Sequence, residues 1–169
     1  MTTGVVVGNP KPDSRTLQAG ILGAQLLTGS DPDLVIDVVK LGPNLLSIGE
    51  ADIAAAVQSV QGCDLLVVGS PTYKGAYTGV LKCFLDQFAG GSLAGVTAFV
   101  FMLGAGPGHA LAPELLLRPV LVELGASCPA RSLYLLESVF DDEAAWEPWL
   151  SSARSFVPSV AAKARSEMS

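Results

Sequence analysis

The chain has 169 residues, half of them hydrophobic and 15% charged, and its mean hydropathy is +0.47. This composition excludes a disordered protein, because disordered chains are poor in apolar residues and rich in charge. The net charge of −6, with no run of basic residues, argues against a nucleic-acid partner, because such binding relies on clustered Lys and Arg.

Apolar runs of strand length alternate with segments of helical spacing along the chain. The sequence predicts strands at 4–7, 34–39, 64–69, 96–103 and 132–136, and helices at 14–28, 51–60, 78–88, 111–124 and about 143–163. The third strand is a continuous apolar run, which is typical of a strand buried on both faces. The last helix contains Pro148 and Pro158, and an interior proline kinks or ends a helix.

Five strands that alternate with five helices indicate parallel strands joined by right-handed crossovers and covered on both faces. The sequence therefore predicts a doubly wound α/β fold with three layers and a five-stranded parallel sheet. The interior contains no linker or repeat, so we expect residues 1–169 to form a single domain. Ligands of such sheets bind at the carboxyl ends of the strands, and three unusual loops follow strands one, three and four.

The cysteines and the N-terminus indicate a reducing compartment. Cys63, Cys83 and Cys128 are odd in number and widely spaced, which suits small buried apolar residues better than disulfides or a metal framework. The lone His109 excludes a His-rich metal site. The N-terminus lacks a basic segment and its apolar run is too short for a signal peptide. No apolar segment is long enough to span a membrane, so we expect a cytoplasmic protein without membrane association.

The loop after the first strand reads GNPKPDSRT and enters a predicted helix. A helix N-terminus offers unpaired amides and a partial positive charge, which suit a phosphate. Ser14 and Thr16 add hydroxyls, and Lys11 and Arg15 add charge. The alternative is ordinary capping by Asp13 or Ser14. The Asp13 carboxylate counts against a phosphate unless it turns away, and no GxxxxGK[ST] supports a nucleoside-triphosphate site.

The loop after the third strand reads SPTYKGAYTG and is rich in aromatic, hydroxyl and glycine residues. A flat polar heterocycle needs backbone amides close to it, which glycine permits, and a side wall such as Tyr73. In the alternative interpretation, Pro71 and Gly75 shape a turn while Tyr73 and Tyr77 shield the end of the sheet.

The loop after the fourth strand, GAGPGH, contains three glycines that let the backbone approach a ligand. It also matches part of the GxGxxG dinucleotide fingerprint. That fingerprint fails at its third glycine, where His109 stands, and it normally opens the first βαβ unit. His109 itself could cap a helix, touch a ligand or be solvated, and a structural role is the more common one for an isolated histidine.

Together the loops resemble the NADPH-dependent FMN reductase family, and more closely the reductases that supply reduced flavin to two-component monooxygenases. The matching stretches are GNPKPDSRT (8–16), GSPTYKGAYTGVLKCFLDQF (69–88) and GAGPGHALAPELLLRPVLVELGA (104–126). The resemblance implies a flavodoxin-like fold, FMN as cofactor and hydride transfer from NADPH or NADH. Because the cofactor carries such chemistry, no catalytic residue is nominated.

The resemblance also implies which residues hold the flavin. It assigns the phosphate to Asn9, Lys11, Ser14, Arg15 and Thr16, the isoalloxazine ring to Pro71, Thr72, Tyr73, Lys74 and Gly75, and the pyrimidine end of the ring to Gly104, Ala105, Gly106 and His109. Three departures from the family pattern bear on flavin affinity. Asn9 replaces Ser, Lys11 replaces the bidentate Arg, and Pro107 removes an amide from the third loop.

The helix predicted at 111–124 is apolar nearly all round, and a subunit interface is the expected cover for it. The resembled family forms dimers and tetramers with FMN near the interface, so we expect a homodimer or homotetramer. Lys82 and Asp86, four residues apart, are expected to form a surface ion pair worth about 0.3–0.5 kcal/mol.

The main prediction is an NAD(P)H-dependent FMN reductase that passes electrons to a small-molecule acceptor, a flavin or quinone, with a flavin-dependent monooxygenase as a further partner suggested by the resemblance. Three alternatives stay open. They are a quinone, azo or metal-ion reductase with bound FMN, a flavodoxin-like electron carrier that never meets a nicotinamide, and a Rossmann-type module that uses the third loop.

Overall fold

The computed structural model of the protein describes residues 1–47 and 49–157. Its single sheet contains β1 (Thr3–Val7), β2 (Leu34–Asp37), β3 (Leu65–Pro71), β4 (Thr97–Gly104) and β5 (Leu133–Leu136). All neighbours pair in parallel, in the order β2-β1-β3-β4-β5. This is the flavodoxin-like order, and it confirms the predicted five-stranded parallel sheet.

Helices connect the strands at the predicted places. They are α1 (Arg15–Thr28), α2 (Ala51–Gln61), α3 (Gly79–Leu85), α4 (Arg118–Glu123) and α5 (Glu143–Ala153), with a π-helix at Pro113–Leu117 that runs directly into α4. Short 3-10 helices occupy Val38–Leu41, Pro43–Leu46, Pro107–His109, Glu137–Val139 and Arg154–Phe156. The connections thus alternate with the strands as crossovers between parallel neighbours require.

The sheet is buried on both faces, which confirms the three-layer prediction. On one face, α1 and α5 cover the alternate side chains of the central strands, and Trp146 is the largest side chain buried there. On the other face, α2, α3 and the π-helix with α4 enclose a second core around Phe84. Successive residues of a strand point to opposite faces, so Val5 and Val7 join the first core and Val6 joins the second.

The second strand and the third helix end earlier than predicted. β2 stops at Asp37 rather than at residue 39, because Val7, the last residue of its partner β1, pairs with Asp37 and leaves nothing for the following residues to bond. The third helix ends at Leu85 rather than Phe88. Beyond it, the amide of Phe88 donates to the carbonyl of Leu85 at 3.3 Å, a tighter i to i−3 bond that closes the last turn.

The helix predicted at 111–124 divides into two parts, and proline is the reason. The Pro119 ring removes one helical amide, and the amide of Arg118 donates to the carbonyl of Pro113, five residues back. The last predicted helix is confirmed from Glu143 to Ala153 with Pro148 inside it. The part predicted beyond residue 157 lies outside the described residues.

The cysteines are free thiols. Cys63 and Cys128 are buried, as expected for small apolar residues, whereas Cys83 is half-buried. Burial raises the pKa of both Cys63 and Cys128 to about 11, so these two thiols stay protonated at neutral pH.

Residues 1–47 and 49–157 contain neither a membrane-spanning helix nor a cluster of metal-binding side chains. No helix there combines the length and the apolar character needed to cross a bilayer. In the same ranges, no group of three or more His, Cys, Asp or Glu side chains lies close enough to hold a metal ion.

Candidate functional site

The three unusual loops meet at the carboxyl edge of the sheet, because β1, β3 and β4 are neighbours. The Gly8 amide donates to the Gly69 carbonyl at 3.1 Å, and the Thr78 hydroxyl donates to the Gly8 carbonyl at 2.6 Å. The amide and hydroxyl of Thr72 both donate to the Leu103 carbonyl, at 2.7 and 2.8 Å. Hydrogen bonds therefore join each loop to the next.

Most of the predicted site residues line one cavity of about 460 Å³ at this edge. Its walls are formed by Asn9, Lys11, Ser14, Arg15, Thr16, Pro71, Thr72, Tyr73, Leu103, Gly104, Ala105 and Glu137. Gly75 and His109 instead line a neighbouring hollow of about 430 Å³, together with exposed leucines of the segment that precedes α4. Lys74 and Gly106 line neither space, although both belong to the loops that surround them.

The end of the cavity at α1 keeps several unused donors. Ser14 is the N-cap of α1, and its hydroxyl oxygen accepts the Leu17 amide at 3.2 Å, so the capping interpretation is correct. The Ser14 hydroxyl hydrogen has no acceptor among the described residues, and neither do the amides of Arg15 and Thr16. Capping uses only the oxygen of Ser14, and therefore leaves donors available for an anion.

The side chain of Asn9 forms hydrogen bonds within the same loop. It is buried, and its Nδ2 donates to the Thr16 hydroxyl at 3.1 Å while its Oδ1 accepts the Lys11 amide at 3.0 Å. These bonds fix the Thr16 oxygen as an acceptor, so the hydroxyl hydrogen is left for another partner. The family's Ser has been replaced by a residue that braces the loop at two points.

Asp13, which seemed to oppose a phosphate, is held away from the cavity. Its carboxylate accepts Lys40 Nζ at 2.5 Å, and its amide donates to Asp37 Oδ2 at 2.9 Å. Neither Asp13 nor Lys40 lines the cavity. The hydrogen bond to Asp13, supported by the Asp37 carboxylate, raises the pKa of Lys40. Asp13 also has a left-handed φ of 51°, which Asp tolerates better than most residues.

Asp37 holds the loop before α1 in place. It is buried at the end of β2, and its Oδ1 has no hydrogen-bond partner in the part of the chain that the structure describes. The sequence interpretation missed it because a strand extended to residue 39 placed Asp37 inside the strand rather than at its end. A carboxylate that holds the Asp13 amide also fixes the position of the following residue, Ser14, which is the N-cap of α1.

The loop after β3 folds into a tight hairpin. Tyr73 and Ala76 exchange backbone hydrogen bonds at 2.9 and 3.1 Å, and the two residues between them, Lys74 and Gly75, have φ angles of 54° and 81°. This is the two-residue turn that needs left-handed conformations at both central positions. The turn predicted at Gly75 is therefore confirmed, whereas Pro71 is the last residue of β3. Tyr73 is exposed and forms a wall of the cavity.

The loop after β4 is held by Tyr134, which the sequence interpretation did not find. The Tyr134 hydroxyl donates to the Gly106 carbonyl at 2.7 Å. A Cβ placed on Gly104 would lie 1.7 Å from that hydroxyl oxygen, so the close packing of Tyr134 requires glycine at this position. His109 is exposed and lies against Gly75, where an added Cβ would be 3.5 Å from its Cε1. His109 therefore joins the second and third loops.

Glu137 is a further lining residue that was missed. It follows β5 at the same edge of the sheet, and its Oε1 lies 3.3 Å from Arg15 Nη1. Glu137 follows the fifth strand and so lies outside the three loops whose composition is unusual. The rule that ligands meet the carboxyl ends of parallel strands could have pointed to the fifth strand as well.

The two ends of the cavity suit the two ends of a phosphorylated flat ring. The α1 end has free buried hydroxyls, free amides and the cations of Lys11 and Arg15. The opposite end has the loops after β3 and β4 as its walls, including the exposed side chain of Tyr73. The residues present therefore fit FMN, and the fit rests on unused donors rather than on any metal ligand.

Comparisons with known proteins agree with this geometry. Residues 1–141 match the family model described as NADPH-dependent FMN reductase. The chain is 35% identical over 98 residues to the NADH-dependent FMN reductase SfnF of Pseudomonas putida, which covers 58% of this chain and 53% of that protein. It is 29% identical over 142 residues to FMN reductase (NADPH) of Escherichia coli (strain K12), which covers 82% of this chain and 71% of that protein.

A solved structure is similar over nearly the whole chain. The crystal structure of NADH:FMN oxidoreductase (EMOB) in its apo form superposes with a TM-score of 0.82 at 31% identity, covering 94% of this chain and 90% of that one. The match to the Pseudomonas putida relative, by contrast, spans only about half the length of that protein. On the family model, which covers most of its length, the chain belongs to the NADPH-dependent FMN reductase family.

Proposed function

We propose that this protein is an NAD(P)H:FMN oxidoreductase. The observation that carries the proposal is the set of unused donors at the N-terminus of α1, on Ser14, Arg15 and Thr16, beside a cavity that Tyr73 also lines. Free amides at a helix N-terminus with two nearby cations are the usual recognition of a phosphate monoester. The names of the relatives support the same activity.

In this proposal the phosphate is bound by Asn9, Lys11, Ser14, Arg15 and Thr16, and the ring lies between the hairpin of residues 71–75 and the loop of Gly104, Ala105, Gly106 and His109. Bound FMN would supply the redox chemistry, as acceptor of a hydride and donor to a second acceptor. The chain orients the ring through its backbone loops and shields one side of it with Tyr73. No side chain is needed as an acid or base.

The proposed hydride donor is NADPH or NADH, and the proposed acceptor is a flavin or a quinone. The relatives support both nucleotides, because the Pseudomonas putida protein is named for NADH and the Escherichia coli protein for NADPH. The resemblance to flavin-supplying reductases supports a flavin-dependent monooxygenase as partner. We also propose a cytoplasmic location, which the three free thiols support, and a single domain over residues 1–169.

The test is steady-state oxidation of NADH and of NADPH by the purified protein, with and without added FMN. We expect FMN-dependent oxidation of at least one nucleotide. If the protein binds FMN but oxidises neither nucleotide, it is an electron carrier and the reductase proposal is wrong. If it binds no FMN at all, the flavin site itself is wrong.

We propose in addition that the protein is a homodimer or homotetramer. Leu111, Leu115 and Leu116 are exposed beside the cavity, and Leu115 is 63% exposed. Neighbouring exposed leucines mark a contact surface more often than scattered ones do. Light scattering of the wild type should give a dimer or tetramer, and Leu115→Glu should give a smaller species. The control is Leu46→Glu, since Leu46 is 78% exposed but lies away from this surface. A wild-type monomer would contradict the proposal.

A further inference from the structure

An acidic side chain lines the end of the cavity that is otherwise built for an anion. Glu137 begins the 3-10 helix after β5, and its Oε1 lies 3.3 Å from Arg15 Nη1. Both side chains face solvent, with 47% of Glu137 and 64% of Arg15 exposed. Both also line the same cavity as Ser14 and Thr16. The structure therefore shows Arg15 paired with a carboxylate where the proposed function requires it to pair with a phosphate.

The two partners of Arg15 differ in strength. An exposed ion pair between single side chains contributes little to stability, because solvent screens it and both side chains lose freedom. A phosphate monoester carries about −1.5 to −2 charges at neutral pH and presents three acceptor oxygens, so it is the stronger partner for a guanidinium. A phosphate that enters this site takes Arg15 from Glu137 and then lies near an uncompensated carboxylate.

The other charged residues around the cavity do not cancel the repulsion between Glu137 and a phosphate. Lys11 and Arg15 are the cations that line the cavity, and Glu137 offsets one of them. Asp13 does not contribute, because its carboxylate is engaged by Lys40 outside the cavity. Among the residues that line the cavity, Glu137 is thus the acidic side chain that a bound phosphate would face.

We propose that Glu137 is a specificity-determining residue that limits how strongly the site prefers a phosphorylated flavin. It competes with the phosphate for Arg15 and repels it, so it lowers the affinity for FMN and leaves the affinity for riboflavin unchanged. This inference rests on the proposed function, because it takes FMN as the ligand of the cavity.

The experiment is a fluorescence titration of FMN and of riboflavin with the wild type, Glu137→Gln, Arg15→Ala and the double variant. We expect Glu137→Gln to bind FMN about two- to fivefold more tightly, the range of one exposed charge interaction, and to bind riboflavin as the wild type does. The gain should be smaller in the Arg15→Ala background and should shrink at high salt. The chain offers a matched control in Glu147→Gln.

Glu147 pairs with Arg154 at 3.0 Å and is similarly exposed, but it lies on α5 away from the cavity, so its variant should leave both affinities unchanged. Weaker FMN binding by Glu137→Gln would mean that Glu137 positions Arg15 for the phosphate. Equal shifts for FMN and riboflavin would place Glu137 against the ribityl chain. Either result, or no change, overturns the inference while leaving the reductase proposal intact. A wild type that binds neither flavin would instead refute the proposed function.

Discussion

The two ends of the cavity are made of different parts of the chain. At the α1 end, where the phosphate is proposed to bind (the phosphate end), buried polar side chains such as Ser14, Thr16 and Asn9 offer or align the donors, and a helix N-terminus adds amides. At the opposite end, where the ring is proposed to lie (the ring end), two loops present mostly backbone, and the residues that shape them, Gly75 and Gly104, have no side chain to offer.

This difference determines what a substitution can do at each end. A side-chain donor at the phosphate end can be deleted, and the loss falls on phosphate-bearing flavins alone. The ring end can be altered through the Tyr73 side chain or through the residues that hold its backbone in place, and a change there is expected to affect every flavin. FMN and riboflavin, which differ by the phosphate, therefore report separately on the two ends.

The largest expected effect is at the phosphate end. Ser14→Ala combined with Arg15→Ala should weaken FMN binding by about 2–4 kcal/mol, the sum of a neutral and a charge-assisted hydrogen bond. Riboflavin affinity should not change. Because Ser14 is also the N-cap of α1, Ser14→Gly with Arg15→Ala is the control, since glycine preserves most of the capping energy but has no hydroxyl. Unchanged FMN affinity would place the phosphate elsewhere.

The second-largest expected effect concerns Asp37, and it tests whether FMN binding needs the loop before α1 to be held in its observed conformation. Asp37→Ala removes the acceptor of the Asp13 amide, and we expect FMN affinity to fall by about 1–2 kcal/mol with riboflavin unaffected. Asp33→Ala is the matched control. Asp33 accepts the Thr3 amide at 2.7 Å, but it precedes β2 at the opposite edge of the sheet. If both variants lose stability and neither loses FMN affinity, Asp37 has only a structural role.

A smaller effect is expected at the ring end. Tyr134→Phe removes the hydrogen bond to the Gly106 carbonyl and should weaken both FMN and riboflavin binding by about 1 kcal/mol, because the loop that contacts the ring becomes less ordered. Equilibrium titration of both flavins measures it. A change confined to FMN would show that the division between the two ends is wrong.

The smallest effect concerns the support behind the ring end. Glu114 accepts the Ser132 amide at 2.8 Å and Arg118 Nη1 at 2.9 Å, and so ties the π-helix and α4 to β5. Desolvation acts to raise the pKa of Glu114, but the bonds to Ser132 and the charge of Arg118 outweigh it and lower that pKa. Because the pKa is lower in the folded state, ionised Glu114 stabilises the fold at pH values above its unfolded-state pKa of about 4.3. This contribution is lost as the pH falls through the folded-state pKa.

Glu114→Gln should therefore lower the free energy of unfolding by about 0.5–1 kcal/mol at neutral pH, with the difference from wild type vanishing in acid. Urea unfolding at several pH values measures this dependence. Glu123→Gln is a suitable control, because Glu123 is an exposed residue of the same helical segment. A difference that grows as pH falls would contradict the assignment.

More of the residues at the phosphate end than at the ring end could be predicted from local sequence. Ser14 and Thr16 could be recognised because a strand, a loop and a helix start follow one another directly in the chain. Tyr134 lies 28 residues from its partner Gly106, and Asp37 lies 24 residues from Asp13. Such contacts depend on which strands become neighbours, and alternation of strands and helices does not specify that order. The segment 111–124 is predicted to be helical despite Pro113 and Pro119, because apolar spacing does not show how Pro119 changes the backbone hydrogen bonds.

The hydrogen bonds that Thr72 and Thr78 make to neighbouring loops have an energetic consequence. The hydroxyl hydrogens of both threonines are already used inside the protein, so these side chains hold the three loops in one arrangement before any ligand binds. A binding site that is already ordered loses little conformational entropy when its ligand binds. Most of the attraction between the flavin and this edge of the sheet is then retained as affinity.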